Sequence, residues 1–471
     1  MKFSAQTTTV TTSITSTVAG LRTAATIPAV LVLIAAFLAG GFYESTYSLL
    51  AAAVWLGIAL AAAFRAPPRP SPACWALVAL AGWTALSAVW GPAGPALRTL
   101  PLVLLYAGAL YAAEWIAPEL VLRGVLAACV VVSAAALVGW IAGVGDRDRL
   151  EWPVTYTNGL GLVAVTGALL ALSASNRVLL APEARFLGRP FPSNRLLLAG
   201  PCLLAAVFTF SRSALLAGAA AGVLLLARQR RIPRRVAVAG AAAAVTGAVL
   251  LAQPLAARFA APAPDEGDAR RLIDVTGHGR AELWRVAAEA WRDAPLLGQG
   301  AGTYARELIS ATGDLSLPAN AHSLYLETLA ELGIVGLALL LAFLALTLAR
   351  ALAAPAAAVV VVAWAIHAGV DWDWQLPAAT LPAVLAAGTL TRTARPLGLV
   401  VAPVALALGV AAGLHGVGAA VVETDVSTPD RARLAARLLP WDARPWADVD
   451  PRKACAIDSE EPVLTRGNEC G

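Results

Sequence analysis

Charged side chains are scarce in this chain. Of its 471 residues only 14% are Asp, Glu, Lys or Arg, whereas soluble domains carry about 25%. With 59% hydrophobic residues, the chain has too little polar surface to be an ordinary soluble globular protein. The net charge of +5 is small, and the arginines fall in short loops, so a nucleic-acid-binding surface is also excluded.

Metal-binding residue types are also few. The chain has five cysteines and four histidines, and their spacing matches no metal-site pattern, so we expect no metal and no cofactor. Cys74, Cys129 and Cys202 lie in or beside apolar runs, which predicts buried, inert thiols. Cys455 and Cys470 share a polar tail and could pair in an oxidising compartment, which the sequence leaves open.

The chain contains repeated apolar runs of about 20 residues, and each run is long enough to cross a bilayer. Such runs are too long and too apolar for barrel strands, so the spans are helices. The predicted fold class is all-α, a polytopic transmembrane helical bundle with about 13 spans and one large extracytoplasmic loop that contains short helices. The predicted spans cover residues 27–43, 46–64, 71–90, 98–117, 120–144, 159–176, 196–210, 213–227, 236–254, 323–349, 356–372, 376–391 and 397–422.

Arginines cluster in four of the connections between these spans, at residues 65–69, 177–195, 228–235 and 392–395. All four clusters fall on one side in the predicted order of spans, and basic loops mark the cytoplasmic side. The sequence therefore predicts five regions: a disordered cytoplasmic arm (1–26), spans one to nine (27–254), an extracytoplasmic loop (255–321), spans ten to thirteen (322–422) and an extracytoplasmic tail (423–471).

The predicted loop and tail contain two candidate helices. Residues 280–292 predict an amphipathic helix, and residues 430–439 predict a shorter one in the tail. The apolar face of the first should carry Leu283, Trp284, Ala287 and Trp291. Three glycines at 298, 300 and 302 weakly resemble a phosphate-binding loop, but no strand precedes them, which favours a tight turn.

Three cationic or titratable groups recur at the predicted outer ends of spans. Arg212 lies between two short apolar runs, Arg280 opens the external helix, and His322 opens the tenth span. Arginine binds phosphate through two parallel hydrogen bonds, and histidine can act as a general base near neutral pH. Together they predict a site for a reaction with a phosphate leaving group, although each residue alone could be an interfacial, solvated or helix-capping group.

Acidic groups accompany them. Asp371 and Asp373 lie between tryptophans at the outer end of the eleventh predicted span, and Glu331 follows His322 in the tenth. The two aspartates favour an interfacial belt with solvated acids, although they could also support the site. His367 predicts a buried structural histidine rather than a catalytic one.

Five segments, taken in order, resemble the O-antigen ligase/O-antigen polymerase superfamily of bacterial envelope enzymes, from about residue 147 to residue 374. Ser323 stands where the family usually has Asn, and Thr157 where it usually has Pro. The segments are Arg149-Leu-Glu-Trp-Pro-Val-Thr-Tyr-Thr-Asn158, Phe210-Ser-Arg-Ser-Ala-Leu-Leu216, Gly279-Arg-Ala-Glu-Leu-Trp284 with Pro295-Leu-Leu-Gly-Gln-Gly-Ala-Gly302, Asn320-Ala-His-Ser-Leu-Tyr-Leu with Glu331-Leu-Gly, and His367 to Asp371.

The resemblance implies a membrane glycosyltransferase that moves a glycan from an undecaprenyl-diphosphate carrier to a glycan, lipid or protein acceptor, as a ligase or a polymerase. It implies metal-independent, inverting chemistry in the bacterial cytoplasmic membrane, with the active site on the extracytoplasmic face. In this sequence His322 would then be the catalytic base, and Arg212 and Arg280 would bind the diphosphate. Glu331 and Asp371 are candidates for supporting roles.

Two other classes of function remain open. A secondary transporter or flippase usually has ionisable residues near the membrane midplane and repeated halves. Here the charges lie at span ends and no halves repeat, which disfavours that class. A non-catalytic envelope scaffold would be favoured if no cavity faced His322.

Overall fold

The computed structural model describes residues 26–145, 148–173, 185–186, 189–190, 194–228, 279–313, 319–351, 354–393, 401–424 and 426–458. Over these ranges the secondary structure is helical apart from two two-residue strands, Arg185–Phe186 and Arg189–Pro190, which pair antiparallel. The all-α prediction is therefore confirmed for the part of the chain that the structure describes.

The helices are α1 Thr26–Phe37, α2 Glu44–Phe64, α3 Pro72–Leu86, α4 Ala93–Trp115, α5 Pro118–Ile141, α6 Thr157–Ser173, α7 Asn194–Phe208, α8 Arg212–Arg228, α9 Arg280–Asp293, α10 Tyr304–Thr312, α11 Leu324–Leu348, α12 Pro355–His367, α13 Pro377–Thr391, α14 Val401–Thr424, α15 Pro429–Leu438 and α16 Pro451–Ile457. Short 3-10 turns occupy Ala39–Gly41, Ser87–Val89, Asp373–Gln375 and Arg444–Trp446.

Six of these helices are long and apolar enough to cross a membrane, namely α2, α3 with the 3-10 turn that follows it, α4, α5, α11 and α14. Six shorter apolar helices accompany them: α1, α6, α7, α8, α12 and α13. Every predicted span coincides with one of these helices except the ninth, at residues 236–254, which lies outside the described residues. The total of 13 stays a prediction.

Some helix ends differ from those predicted. The first span was expected to reach residue 43, but α1 ends at Phe37. Gly40 and Gly41 follow with φ angles of 71° and 78°, which turn the chain out of the helical path. The eleventh span was expected to reach residue 372, but α12 ends at His367. Asp371 therefore lies in the loop beyond the helix, not at its end.

One end of the bundle gathers arginines that are distant in sequence. Thr391 Oγ1 donates to Glu114 Oε1 over 2.9 Å, and Arg392 Nε donates to the carbonyl oxygen of Glu114 over 3.1 Å. The Arg65 guanidinium lies 5.9 Å from the ring centre of Trp115. Two of the four basic clusters thus meet at this end, as the predicted order of spans requires. The other two lie mostly outside the described residues.

The opposite end carries α9, α10 and the C-terminal tail. Arg306 in α10 forms an ion pair with Asp458 in the tail, with Arg306 Nη1 donating to Oδ1 over 3.0 Å. Cys455 is disulfide-bonded, whereas Cys74, Cys129 and Cys202 are free and buried, as predicted. A disulfide is typical of an oxidising compartment. Cys470, the predicted partner, lies outside the described residues.

Helices α2 and α14 pack closely along their length because α14 presents glycines to α2. A Cβ atom at Gly409 would lie 2.7 Å from Leu56, and one at Gly416 would lie 3.0 Å from Leu49. Small residues allow such close approach between helices in a membrane. Glu44 is the first residue of α2, and its Oε1 lies 2.7 Å from Nε2 of His415 in α14. Helices α2 and α14, which are far apart in the sequence, are therefore neighbours in the fold.

Candidate functional site

His322 lies in the turn that precedes α11, which agrees with its predicted place at the opening of the tenth span. Ser323 is the N-cap, its side chain accepts from Leu326 N, and the helix begins at Leu324. The φ angle of His322 is +48°, a left-handed conformation that is uncommon for residues other than glycine. The imidazole is thus presented from a tight turn at the mouth of the helix.

A carboxylate that sequence reasoning missed holds this turn in place. Glu327 Oε2 accepts from Ala321 N over 2.8 Å, and Glu327 Oε1 accepts from Gln375 Nε2 over 2.8 Å. Leu324 N also donates to the carbonyl oxygen of Ala368 over 2.8 Å. The turn that carries His322 is therefore fixed to the loop between α12 and α13. The one available signal was an acidic residue in the first turn of an apolar helix.

Arg280, the first residue of α9, reaches the same loop. Its Nε donates to the carbonyl oxygen of Val370 over 2.9 Å, and its Nη2 lies 3.2 Å from Asp371 Oδ2. The Arg280 side chain is 17% exposed, whereas that of Asp371 is fully buried. Because two nitrogens of one planar group are held, the orientation of the guanidinium is set.

Asp371 collects further donors from the start of α6. Tyr156 donates its hydroxyl proton to Oδ1, and Asn158 Nδ2 donates to Oδ2 over 2.6 Å. The backbone nitrogen of Trp372 donates to Oδ1 over 2.9 Å. The interpretation of Asp371 and Asp373 as solvated interfacial acids is wrong, since both side chains are fully buried. Tyr156 was not recognised from the sequence as part of the cluster, although it lies in a segment of the family resemblance.

The charges of Arg280 and Asp371 affect the pKa of His322. Burial lowers the pKa of His322 below its usual value of 6.5, Asp371 opposes that shift, and the Arg280 charge adds to it. Burial raises the pKa of Asp371, but the charges of His367 and Arg280 and the hydrogen bond from Tyr156 bring it below its usual value. The backbone of Asn320 lies close enough to raise the His322 pKa, but Nδ1 makes no well-aligned hydrogen bond. His322 is therefore neutral, and Asp371 ionised, near neutral pH.

The start of α8 meets the end of α12 beside this cluster. Ser213 Oγ lies 2.9 Å from His367 Nε2, and His367 Nδ1 lies 2.9 Å from Asp373 Oδ2 without the alignment of a hydrogen bond. His367 is fully buried, as predicted for a structural histidine. Arg212 is the first residue of α8, directly before Ser213, and its side chain is partly exposed.

Glu331 has a different place from the one the sequence suggested. Its carboxylate accepts from Gly302 N over 2.8 Å and from Tyr304 N over 3.0 Å, and its carbonyl oxygen accepts from Gly300 N over 2.8 Å. The N–H groups of the loop that contains Gly300 and Gly302 are therefore hydrogen-bonded to α11. Gly333, with φ 64°, interrupts that helix nearby. This agrees with a tight turn and not with a phosphate cradle.

Backbone strain is concentrated around the cluster. In the ranges that the structure describes, four residues other than glycine have positive φ, and three of them border the site. Thr155 (61°) precedes Tyr156, Phe210 (50°) precedes the start of α8, and the third is His322 itself. Each such conformation costs about 1–3 kcal/mol and is common at functional sites. Among the described residues, no group of three or more His, Cys, Asp or Glu side chains is suited to a metal ion.

Residues 197–341 match the family model described as O-antigen ligase. The matched stretch includes Arg212, Arg280 and His322, whereas Tyr156 and Asp371 lie on either side of it. No curated protein matches the chain. The match agrees with the resemblance seen in the sequence, and together with the apolar helices it indicates a multi-pass membrane protein with a region similar to O-antigen ligases.

Proposed function

We propose that the protein transfers a glycan from an undecaprenyl-diphosphate carrier to an acceptor hydroxyl, at the end of the bundle that carries α9 and the turn before α11. The single observation that supports this most is the Arg280–Asp371 pair beside a histidine whose pKa is lowered. A fixed cation next to a neutral imidazole suits a reaction in which an anionic diphosphate leaves while a hydroxyl loses its proton.

His322 is the general base in this proposal. Its imidazole takes the proton of the acceptor hydroxyl as the hydroxyl oxygen forms a bond to the anomeric carbon of the donor sugar. The bond between that carbon and the diphosphate oxygen breaks, and the electron pair leaves with the carrier diphosphate. Attack from the face opposite the leaving group inverts the anomeric carbon.

Arg280 and Arg212 stabilise the negative charge that develops on the diphosphate, so that no metal is required. Asp371 acts as a positioning residue, because it orients the Arg280 guanidinium through Oδ2. It is itself held by Tyr156 and Asn158, which keeps the arrangement rigid before substrate arrives.

The reaction would take place on the extracytoplasmic face. The arginine-rich connections around Glu114 lie at the other end of the bundle, and basic loops favour the cytoplasm. The Cys455 disulfide in the tail is typical of an oxidising compartment. The acceptor is a glycan in a polymerase, and a lipid or protein in a ligase.

The test is a transfer assay with purified full-length protein, a carrier-linked oligosaccharide and EDTA, following release of carrier diphosphate and growth or transfer of the glycan. We expect His322→Ala to lower the rate by roughly 10²–10⁴-fold, the usual contribution of a general base. The thermal unfolding midpoint should stay close to that of the unmodified protein. Full activity in His322→Ala would remove the histidine from the mechanism. Absence of turnover with every carrier-linked glycan would instead favour the transporter or flippase.

A further inference from the structure

A polar cavity of about 300 Å³ lies at the same end of the bundle as His322. It is bounded by the starts of α2 and α4, the end of α14, the 3-10 turn after Asp371 and the C-terminal tail. Its lining residues are Phe42, Tyr43, Glu44, Tyr47, Thr99, Leu102, Trp374, Gln375, Glu423 and Arg444. The mechanism above uses none of these side chains.

The lining combines aromatic rings with hydrogen-bonding groups. Arg444 contacts Glu44 over 2.7 Å and also binds Asp442, so its one positive charge does not balance Glu44 and Glu423, and the lining has an excess of negative charge. A cavity with this excess of negative charge disfavours phosphate groups. Aromatic rings and carboxylate acceptors instead suit a hydroxyl-rich ligand that is neutral or cationic.

A row of aromatic rings connects this cavity to the proposed catalytic cluster. The ring centres of Tyr43 and Phe42 are 5.8 Å apart, those of Phe42 and Trp372 are 5.7 Å apart, and those of Trp372 and Tyr156 are 4.6 Å apart. Tyr156 in turn donates its hydroxyl proton to Asp371. Tyr43 and Phe42 are about half exposed, so one end of the row is open to a ligand.

A second connection runs through hydrogen bonds. Gln375 lines the cavity and donates to Glu327, and Glu327 accepts from the backbone nitrogen of Ala321, the residue before His322. A ligand that contacts Gln375 therefore contacts a group that holds the histidine turn. These aromatic residues could also be explained as a belt at the lipid surface. Such a belt requires neither a hydrogen-bonded connection to the histidine turn nor a cavity lined by charged groups.

We infer that this cavity is a saccharide-binding subsite, which holds sugar units of a substrate while the diphosphate lies at Arg280. The inference rests on the proposed function, since it assigns part of the same substrate to a second place. The sugar could belong to the donor or to the acceptor. Both sources share the same chemistry, with ring faces for the aromatic side chains and hydroxyl groups for the Glu423 carboxylate.

Binding is tested by thermal unfolding of the purified full-length protein with two probes, inorganic pyrophosphate and a panel of neutral and amino disaccharides. Tyr43→Ala and Glu423→Gln should weaken protection by the best disaccharide roughly twofold to tenfold, as expected for loss of one stacking or hydrogen-bonding group. Tyr43→Phe should retain most of the binding, and Phe64→Ala, an exposed aromatic at the far end of α2, serves as the matched control. Protection by pyrophosphate should depend on Arg280 and not on Tyr43.

The source is identified in the transfer assay. If Tyr43→Ala raises KM for the carrier-linked donor alone, the cavity holds donor sugar, and a rise for the acceptor alone assigns it to the acceptor. Protection by no disaccharide, or by disaccharides equally in Tyr43→Ala, Glu423→Gln and Phe64→Ala, overturns the subsite. Pyrophosphate binding that still depends on Arg280 would then leave the proposed function standing. If pyrophosphate binding does not depend on Arg280, the result would count against the proposed function instead.

Discussion

Arg280 and Asp371 are 91 positions apart in the chain, yet Nη2 of one lies 3.2 Å from Oδ2 of the other. The contact joins the first residue of α9 to the loop after α12. Because the carboxylate is fully buried and the arginine is partly exposed, the pair fixes the plane of the guanidinium while one part of it still faces solvent. At Arg280 the shape of the side chain should therefore matter as well as its charge.

Arg280→Lys keeps the positive charge but loses the planar group that can contact two oxygens at once. We expect the glycan-transfer rate to fall by roughly 10²-fold, the usual cost of losing one donor that stabilises a developing anion. Arg285→Lys is the matched control on the same helix, since Arg285 is exposed and pairs with Glu282 and Glu289. Equal rates for both variants in the transfer assay would contradict the role given to Arg280.

The pH dependence of kcat/KM should reflect the lowered pKa of His322. The base is active when neutral, so activity should fall as the pH drops through that pKa, and the acid side of the profile should lie below pH 6.5. Asp371 raises the His322 pKa, so Asp371→Asn should move this limb to still lower pH. Asp430→Asn, at an exposed position in the tail, should leave it unchanged. A limb above pH 6.5 would exclude His322 as the group that titrates.

Gly298→Ala should destabilise the fold. The glycine has φ +73°, and a Cβ atom there would lie 2.3 Å from the backbone of Glu331. Strain at positive φ together with this clash should cost at least about 1–3 kcal/mol and lower Tm. Gly57→Ala is the control, because nothing lies within 4 Å of its added Cβ atom. An unchanged Tm for Gly298→Ala would mean that the loop is not packed on α11 in this way.

Topology can be tested by single cysteines in a cysteine-free background. A cysteine at Asp430, whose side chain is 93% exposed, should react with an impermeant thiol reagent in intact cells. A cysteine at Ala66, exposed at the arginine-rich end of the bundle, should react only after lysis. The reverse pattern would put His322 on the cytoplasmic side and rule out the proposed extracytoplasmic reaction.

Local sequence patterns predicted the parts of the fold that local physics decides. Apolar runs located the membrane helices, and amphipathic spacing predicted a helix over 280–292, which the structure confirms as Arg280–Asp293. Leu283 and Ala287 are buried, as predicted, and so are Val286 and Ala290, whereas Trp284 is only partly buried. The helices Tyr304–Thr312 and Pro451–Ile457 were missed, since both are too short for a clear periodic pattern.

The candidate site was predicted only in part. His322 and Arg280 were recognised from residue type and position, but the burial of Asp371 was not, because its donors Tyr156 and Asn158 come from more than 200 positions away. Glu331 was named as a possible supporting residue, but the contacts of its carboxylate with the glycine loop were not predicted. Such contacts depend on which helices become neighbours, and a single sequence does not state that.

The contact between α2 and α14 has a consequence for biosynthesis. Glu44 enters the membrane early, but its partners His415 and Arg444 are made 371 and 400 residues later. Until these partners are synthesised, the Glu44 carboxylate must remain hydrated or become protonated, since an unpaired charge in lipid is energetically unfavourable. A chain that stops before residue 415 would carry this open carboxylate permanently, and would expose the α2 surface that Gly409 covers. Membrane quality control could recognise incomplete chains by that surface.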